Sequence, residues 1–105
     1  MEVESTNCES IKPIVEKYFG DYTDQALFVS FKESGCQNIR SYKMNKNGTY
    51  DYCPFQINNE PSVLHDLDKC VKRAWEKFKL YKHWGQWYAV CKPDRTPKYQ
   101  GIKCN

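Results

Sequence analysis

Apolar residues recur at Ile11, Ile14, Val15, Tyr18 and Phe19, a spacing that predicts an amphipathic helix from about Ser10 to Phe19. Pro13 fits only the first turn of such a helix, and Gly20 is placed to stop it. A second helix is expected from an N-cap at Thr23 or Asp24 to Ser34, with Gly35 as its C-cap. Ala26, Val29, Ser30 and Glu33 share one face of it. A carboxylate in the last turn of a mostly apolar helix is disfavoured as an anion twice over. The negative end of the helix dipole opposes it, and so do its apolar neighbours.

Two Tyr-containing runs follow, Ile39–Met44 and Thr49–Cys53, and Asn47-Gly48 between them signals a β-hairpin turn. The longest helix is expected from Asp66 to about Tyr81, with Leu67, Cys70, Val71, Ala74, Phe78 and Tyr81 on its apolar face. Its other side carries Lys69, Lys72, Arg73, Lys77, Lys79 and Lys82. An aromatic segment, His83 to Val90, leads to Cys91, and a turn-rich tail ends at Cys104. The pattern predicts a single α+β domain over residues 1–105, mainly helical, with a small hairpin inserted after the second helix.

Composition narrows the classes. The 105 residues allow one modest core. Sixteen Lys and Arg against thirteen Asp and Glu give a net charge of +3, too mild to argue for nucleic acid. No apolar run approaches the roughly 18 residues that a membrane span needs. Six cysteines at 8, 36, 53, 70, 91 and 104 are spread without a C-x-x-C pair, which points to disulfides in an oxidising compartment rather than to zinc. The opening Met1-Glu-Val-Glu-Ser-Thr has neither a basic nor an apolar leader region. A mature, exported protein without a cofactor is expected. His65 and His83 are isolated and make no metal-ligand spacing. The Asn47-Gly48-Thr49 sequon is read first as a turn.

The acids Glu33 and Asp51 come from different elements that can face across a groove. Cleavage of a bond between sugars needs such a pair in unlike environments. One carboxyl keeps a proton for the leaving oxygen, and the other stays ionised to meet the cationic carbon. Glu33-Ser34-Gly35, followed by Asn47-Gly48-Thr49-Tyr50-Asp51-Tyr52-Cys53-Pro54-Phe55-Gln56-Ile57-Asn58, resembles the lysozyme superfamily. It is similar to the soluble-type lytic transglycosylases of bacteria and phage, in which a helix ends in Glu-Ser-Gly and a hairpin ends in Asp-Tyr-Gly-Leu-Met-Gln-Ile-Asn. It is similar also to chicken-type lysozymes, whose Cys, Trp, Trp and Cys keep the order and spacing of Cys70, Trp84, Trp87 and Cys91. The resemblance covers about residues 24 to 91.

That resemblance implies a disulfide-stabilised lysozyme-like fold. It makes Glu33 the general acid and Asp51 the nucleophile or electrostatic stabiliser. Gln56 and Asn58 would line the cleft, Trp84 would wall the catalytic Glu, and Tyr50 or Trp84 would stack on sugars. Trp87 would belong more to the core. Cys53 stands where both groups have Gly. The Tyr-Asn of many soluble-type enzymes is replaced by Lys92-Pro93-Asp94, and the partner cysteines of the chicken type are missing. Of fifteen possible pairings, Cys36–Cys53, Cys91–Cys104 and Cys8–Cys70 are favoured; Cys8–Cys104 with Cys70–Cys91 is the rival. The expected function is a muramidase, a glycosidase cleaving the β-1,4 bond of peptidoglycan glycan strands by hydrolysis or transglycosylation. It would act as a secreted, periplasmic or cell-wall monomer. The alternatives are a non-catalytic peptidoglycan- or chitooligosaccharide-binding protein of the same fold and, less well supported, a cationic membrane-active protein.

Overall fold

The computed structural model describes residues 5–105; the Met1–Glu4 part of the stretch read for a leader lies outside the described residues. Helix α1 spans Cys8–Phe19 and begins two residues before the expected start. Asn7 is the reason: its Oδ1 accepts the Ser10 N–H at 2.8 Å, and Ser10 Oγ accepts the Asn7 N–H at 2.9 Å. The earlier start carries Pro13 past the first turn, contrary to the sequence reading. The helix survives that missing N–H because Ile11, Val15 and Phe19 are all buried on its inner face.

A three-residue 3-10 turn, Gly20–Tyr22, returns the chain into α2, Thr23–Ser34. Gly35 ends α2 in the left-handed conformation at φ 67°, its N–H bonded back to the Phe31 carbonyl at 2.7 Å. Two twelve-residue helices joined by so short a turn bring the start of the first beside the end of the second. Cys8 and Cys36 meet there and form a disulfide.

The strands differ from the expected hairpin. Asn45 and Thr49 close the turn, with Asn45 N–H on the Thr49 carbonyl at 2.7 Å, but residues 39–44 form no ladder beyond a single bridge, Arg40 to Tyr52. The antiparallel pair is instead β1, Asp51–Tyr52, with β2, Ile57–Asn58, in register Asp51 opposite Asn58 and Tyr52 opposite Ile57. Cys53 adopts φ 71° and Gln56 φ 52° in the turn between them. That turn was legible in the sequence only as part of a motif, because it lacks the Gly that normally announces positive φ.

A second 3-10 turn, Pro61–His65, leads into α3, Leu67–Tyr81, capped by Asp66, whose Oδ1 accepts the Lys69 N–H at 3.0 Å. Cys70, Val71, Ala74 and Phe78 of its predicted face are buried, whereas Tyr81 in the last turn is exposed. Phe19 sits at the centre of the core. Its ring lies 5.7 Å from Phe55, 5.3 Å from Trp75, 5.9 Å from Phe78 and 5.7 Å from Trp84, so one aromatic cluster joins α1, the β1–β2 turn, α3 and the segment after it. The chain is thus mainly helical with one small two-stranded antiparallel sheet.

Three disulfides close it: Cys8–Cys36, Cys53–Cys70 and Cys91–Cys104. Only Cys91–Cys104 matches the favoured set. Cys36–Cys53 and Cys8–Cys70 do not form, and the rival pairings Cys8–Cys104 and Cys70–Cys91 are also overturned. The cause is the return of α2 along α1, which takes Cys36 to Cys8, while the β1–β2 turn faces the first turn of α3 and delivers Cys53 to Cys70. Among the described residues no helix is long and apolar enough to cross a membrane.

Peptide mapping without reductant is expected to recover these three pairs and no others. Replacing both Cys53 and Cys70 by Ala is expected to lower stability in a urea titration by about 2–4 kcal/mol. A loss of a few tenths would show that the bridge does not constrain the chain.

Candidate active site

One open cavity of about 510 Å³ lies between the end of α2, the two-stranded sheet, α3 and the segment 86–89. Glu33, Asp51, Gln56 and Asn58 all line it, together with Asn45, Lys46, Lys77, Trp87, Tyr88 and Ala89. Its volume falls in the range of small-ligand sites.

Glu33 follows from the periodicity of α2. It continues the face of Ala26, Val29 and Ser30, all buried, and at the helix end it emerges half-buried at the cavity wall. Burial is the main reason its carboxyl is pushed up to about 7, and the negative charge of Asp51 adds to the effect. The Ala89 N–H, which donates to Glu33 Oε1 at 3.2 Å, and the nearby Lys98 ammonium act in the opposite direction. The result is an acid that holds its proton near neutrality.

Asp51 sits in a different setting. Its Oδ1 accepts the side-chain amides of Asn58 at 3.0 Å and Asn45 at 3.2 Å, and its backbone N–H donates to Ser41 Oγ at 3.0 Å. The register of β1 on β2 places Asn58 directly opposite, so the pair is a cross-strand contact. Thr49 Oγ1 accepts from the same two Asn amides, at 2.9 and 3.2 Å, and links the turn to the strand. These amides hold the Asp51 side chain in one rotamer. Two carboxyls thus share a cavity in unlike surroundings.

Gln56 lines the cavity and also braces it: its Nε2 donates to the carbonyls of Cys53 at 2.9 Å and Ile39 at 3.0 Å. Cys53, at φ 71°, is tied away from the cavity to Cys70.

The structure places two aromatic candidates, Trp84 and Tyr50, outside the cavity lining. Trp84 is wholly buried, its Nε1 donating to Gln25 Oε1 at 3.1 Å, and it does not line the cavity. A side chain with no exposed surface cannot stack on a sugar, and the apolar wall at the cavity is Trp87, whose Nε1 donates to the Phe55 carbonyl at 3.1 Å. Tyr50 lies outside the cavity lining, and the Arg40 guanidinium occupies one face of its ring at 4.0 Å. The exposed aromatic at the cavity is Tyr88, 62 % accessible. Its place in the His83–Val90 aromatic run was visible in the sequence, but nothing local distinguished it from its buried neighbours. Among the described residues no group of three or more His, Cys, Asp or Glu is disposed to hold a metal ion.

No family model, curated protein or solved structure matches the chain. The motifs at residues 33–35 and 47–58 and the geometry of this cavity therefore bear on function alone.

The raised Glu33 pKa has a consequence for folding. The folded chain keeps a proton that the unfolded chain releases from 4.5 upward, so the contribution of Glu33 to stability falls as pH rises from 4.5 to about 7. Glu33→Gln removes that dependence. The variant is expected to gain on wild type by on the order of 2–3 kcal/mol between pH 4 and pH 8, allowing for solvent that reaches the cavity. Melting curves across that range check it, and a difference independent of pH would contradict the burial of this carboxyl.

Proposed function

We propose that the chain is a lysozyme-like glycosidase and that this cavity cleaves the β-1,4 bond between N-acetylmuramic acid and N-acetylglucosamine in peptidoglycan. The observation that carries the reading is the pair itself: a half-buried Glu33, its carboxyl pushed up to about 7, and an amide-bonded Asp51 on one cavity. The resemblance of residues 33–35 and 47–58 to the lysozyme superfamily supports the same assignment.

In this mechanism Glu33 gives its proton to the glycosidic oxygen as the bond to the anomeric carbon breaks. Positive charge develops on that carbon and is met by the carboxylate of Asp51. Glu33, now ionised, then takes a proton from the group that attacks. That group is water in a hydrolase and the sugar's own 6-hydroxyl in a transglycosylase. Asn58 and Asn45 hold Asp51 in place, the side-chain oxygens of Gln56 and Asn58 would accept from the acetamido N–H, and Tyr88 offers a ring face for stacking. Three disulfides support an exported protein, placed in the periplasm, the cell wall or the medium and acting as a monomer.

Glu33→Gln keeps the shape of the site and removes the proton. It is expected to reduce clearing of purified cell walls to below about a hundredth of the wild-type rate. A wild type that binds glycan without cleaving it would instead favour the non-catalytic reading. The kcat/KM profile is expected to fall on its alkaline side at a pH near 7, where Glu33 loses its proton. Asp51→Asn separates the two products by mass spectrometry. Loss of activity, with reducing ends from the wild type, identifies hydrolysis; retained activity with 1,6-anhydromuramyl ends identifies transglycosylation.

A further inference from the structure

The tail after Cys91 folds back on the site. Cys91–Cys104 closes it, Pro97 bridges to Cys91, and Lys98 N–H donates to the Val90 carbonyl at 2.9 Å. The backbone of Lys98 is thereby locked beside the segment that walls the cavity. From that position its Nζ donates to the Tyr88 carbonyl oxygen at 2.6 Å. That carbonyl and the Ala89 N–H that donates to Glu33 Oε1 at 3.2 Å belong to the same peptide group.

We propose that Lys98 is a positioning residue for Glu33, acting through the Tyr88–Ala89 peptide. Resonance couples the two ends of a peptide group. An ammonium on the carbonyl draws electron density toward the oxygen and leaves the N–H a stronger donor, so the positive charge is relayed to the carboxyl. Lys98 does not touch substrate. The role rests on the assignment of Glu33 as the acid of the proposed reaction.

The relay answers a conflict in the site. Burial and the charge of Asp51 both hold the proton on Glu33, yet an acid catalyst must also release it at the working pH. The Ala89 N–H opposes both, and Lys98 strengthens that donor from the other end of the peptide. Among other charged side chains, Lys46 of the 45–49 turn and Lys77 of α3 line the cavity, and neither forms an ion pair with Glu33. Asp51 faces it from β1.

The test titrates Glu33 by NMR in the full chain carrying ¹³C-labelled glutamate, without glycan, in wild type, Lys98→Met and Lys98→Arg. Lys98 is exposed, so neither substitution disturbs the core. Lys98→Met is expected to raise the Glu33 midpoint. It is also expected to move the Ala89 amide proton upfield at low pH, where Glu33 is protonated in every variant. Lys98→Arg restores both. An unchanged midpoint overturns the proposal. So does a raised midpoint with the Ala89 amide unmoved, because the charge then acts through space and not through the peptide. The readout needs no turnover. A chain that shows both shifts but cleaves no glycan keeps the relay and loses the glycosidase reading, whereas an active chain without the shifts does the reverse.

Discussion

The carbonyl oxygen of Pro54 accepts hydrogen bonds from Ser30 Oγ at 2.9 Å and Ser34 Oγ at 2.7 Å, two hydroxyls from successive turns of α2. This junction fixes the end of the helix to the turn between the strands. Glu33 precedes Ser34 by one residue and Asp51 precedes Pro54 by three, so the junction also fixes the two carboxyls on one cavity. Buried, a carbonyl with two donors is fully satisfied, and breaking either bond strands polar atoms away from water. Ser34, which the sequence offers only as the middle residue of the Glu33-Ser34-Gly35 motif, is therefore a strut of the candidate site.

Around that junction the backbone is strained. Cys36, Cys53, Gln56 and Asn59 all take positive φ without being glycine. Such residues cost on the order of 1–3 kcal/mol each and persist where their surroundings over-determine them. Two of the four are disulfide-bonded cysteines, and bridges at about 2–4 kcal/mol each offset strain of that size. Gln56 is held by the bonds of its own side chain to two carbonyls. Covalent closure lets a small chain keep a distorted loop beside a half-buried acid, both of which work against stability.

The third bridge has a different task. Cys91–Cys104 closes a loop that holds Arg95 at φ 71°, away from the strand turn, and it holds the tail across the wall that contacts Glu33. Gly85 shows how close that packing is, since a Cβ there would lie 2.6 Å from the Cys104 carbonyl oxygen and 2.5 Å from Arg95. The same tail brings the Lys98 charge to the site from outside the core.

Much of the fold was legible in the chain. The three helices declare themselves by 3.6-residue periodicity and by caps at Gly35 and Asp66, because these are local properties of neighbouring residues. The site acids were legible too: Glu33 from its place on an apolar helix face, and Asp51, Gln56 and Asn58 from a motif whose residues lie within eight positions of one another. What could not be read was every feature set by distant elements meeting. Disulfide partners depend on how α2 returns along α1 and on which turn faces α3. Strand pairing goes to Ile57–Asn58 through a turn whose positive-φ residues, Cys53 and Gln56, carry no local glycine signal. Trp84 and Trp87 are chemically alike and three residues apart, and only packing against Phe19 and Phe78 sends one wholly into the core and leaves the other at the cavity. Local pattern determined which elements form; the tertiary structure decided which side chains face one another, because facing is a property of the space between elements and not of any one of them.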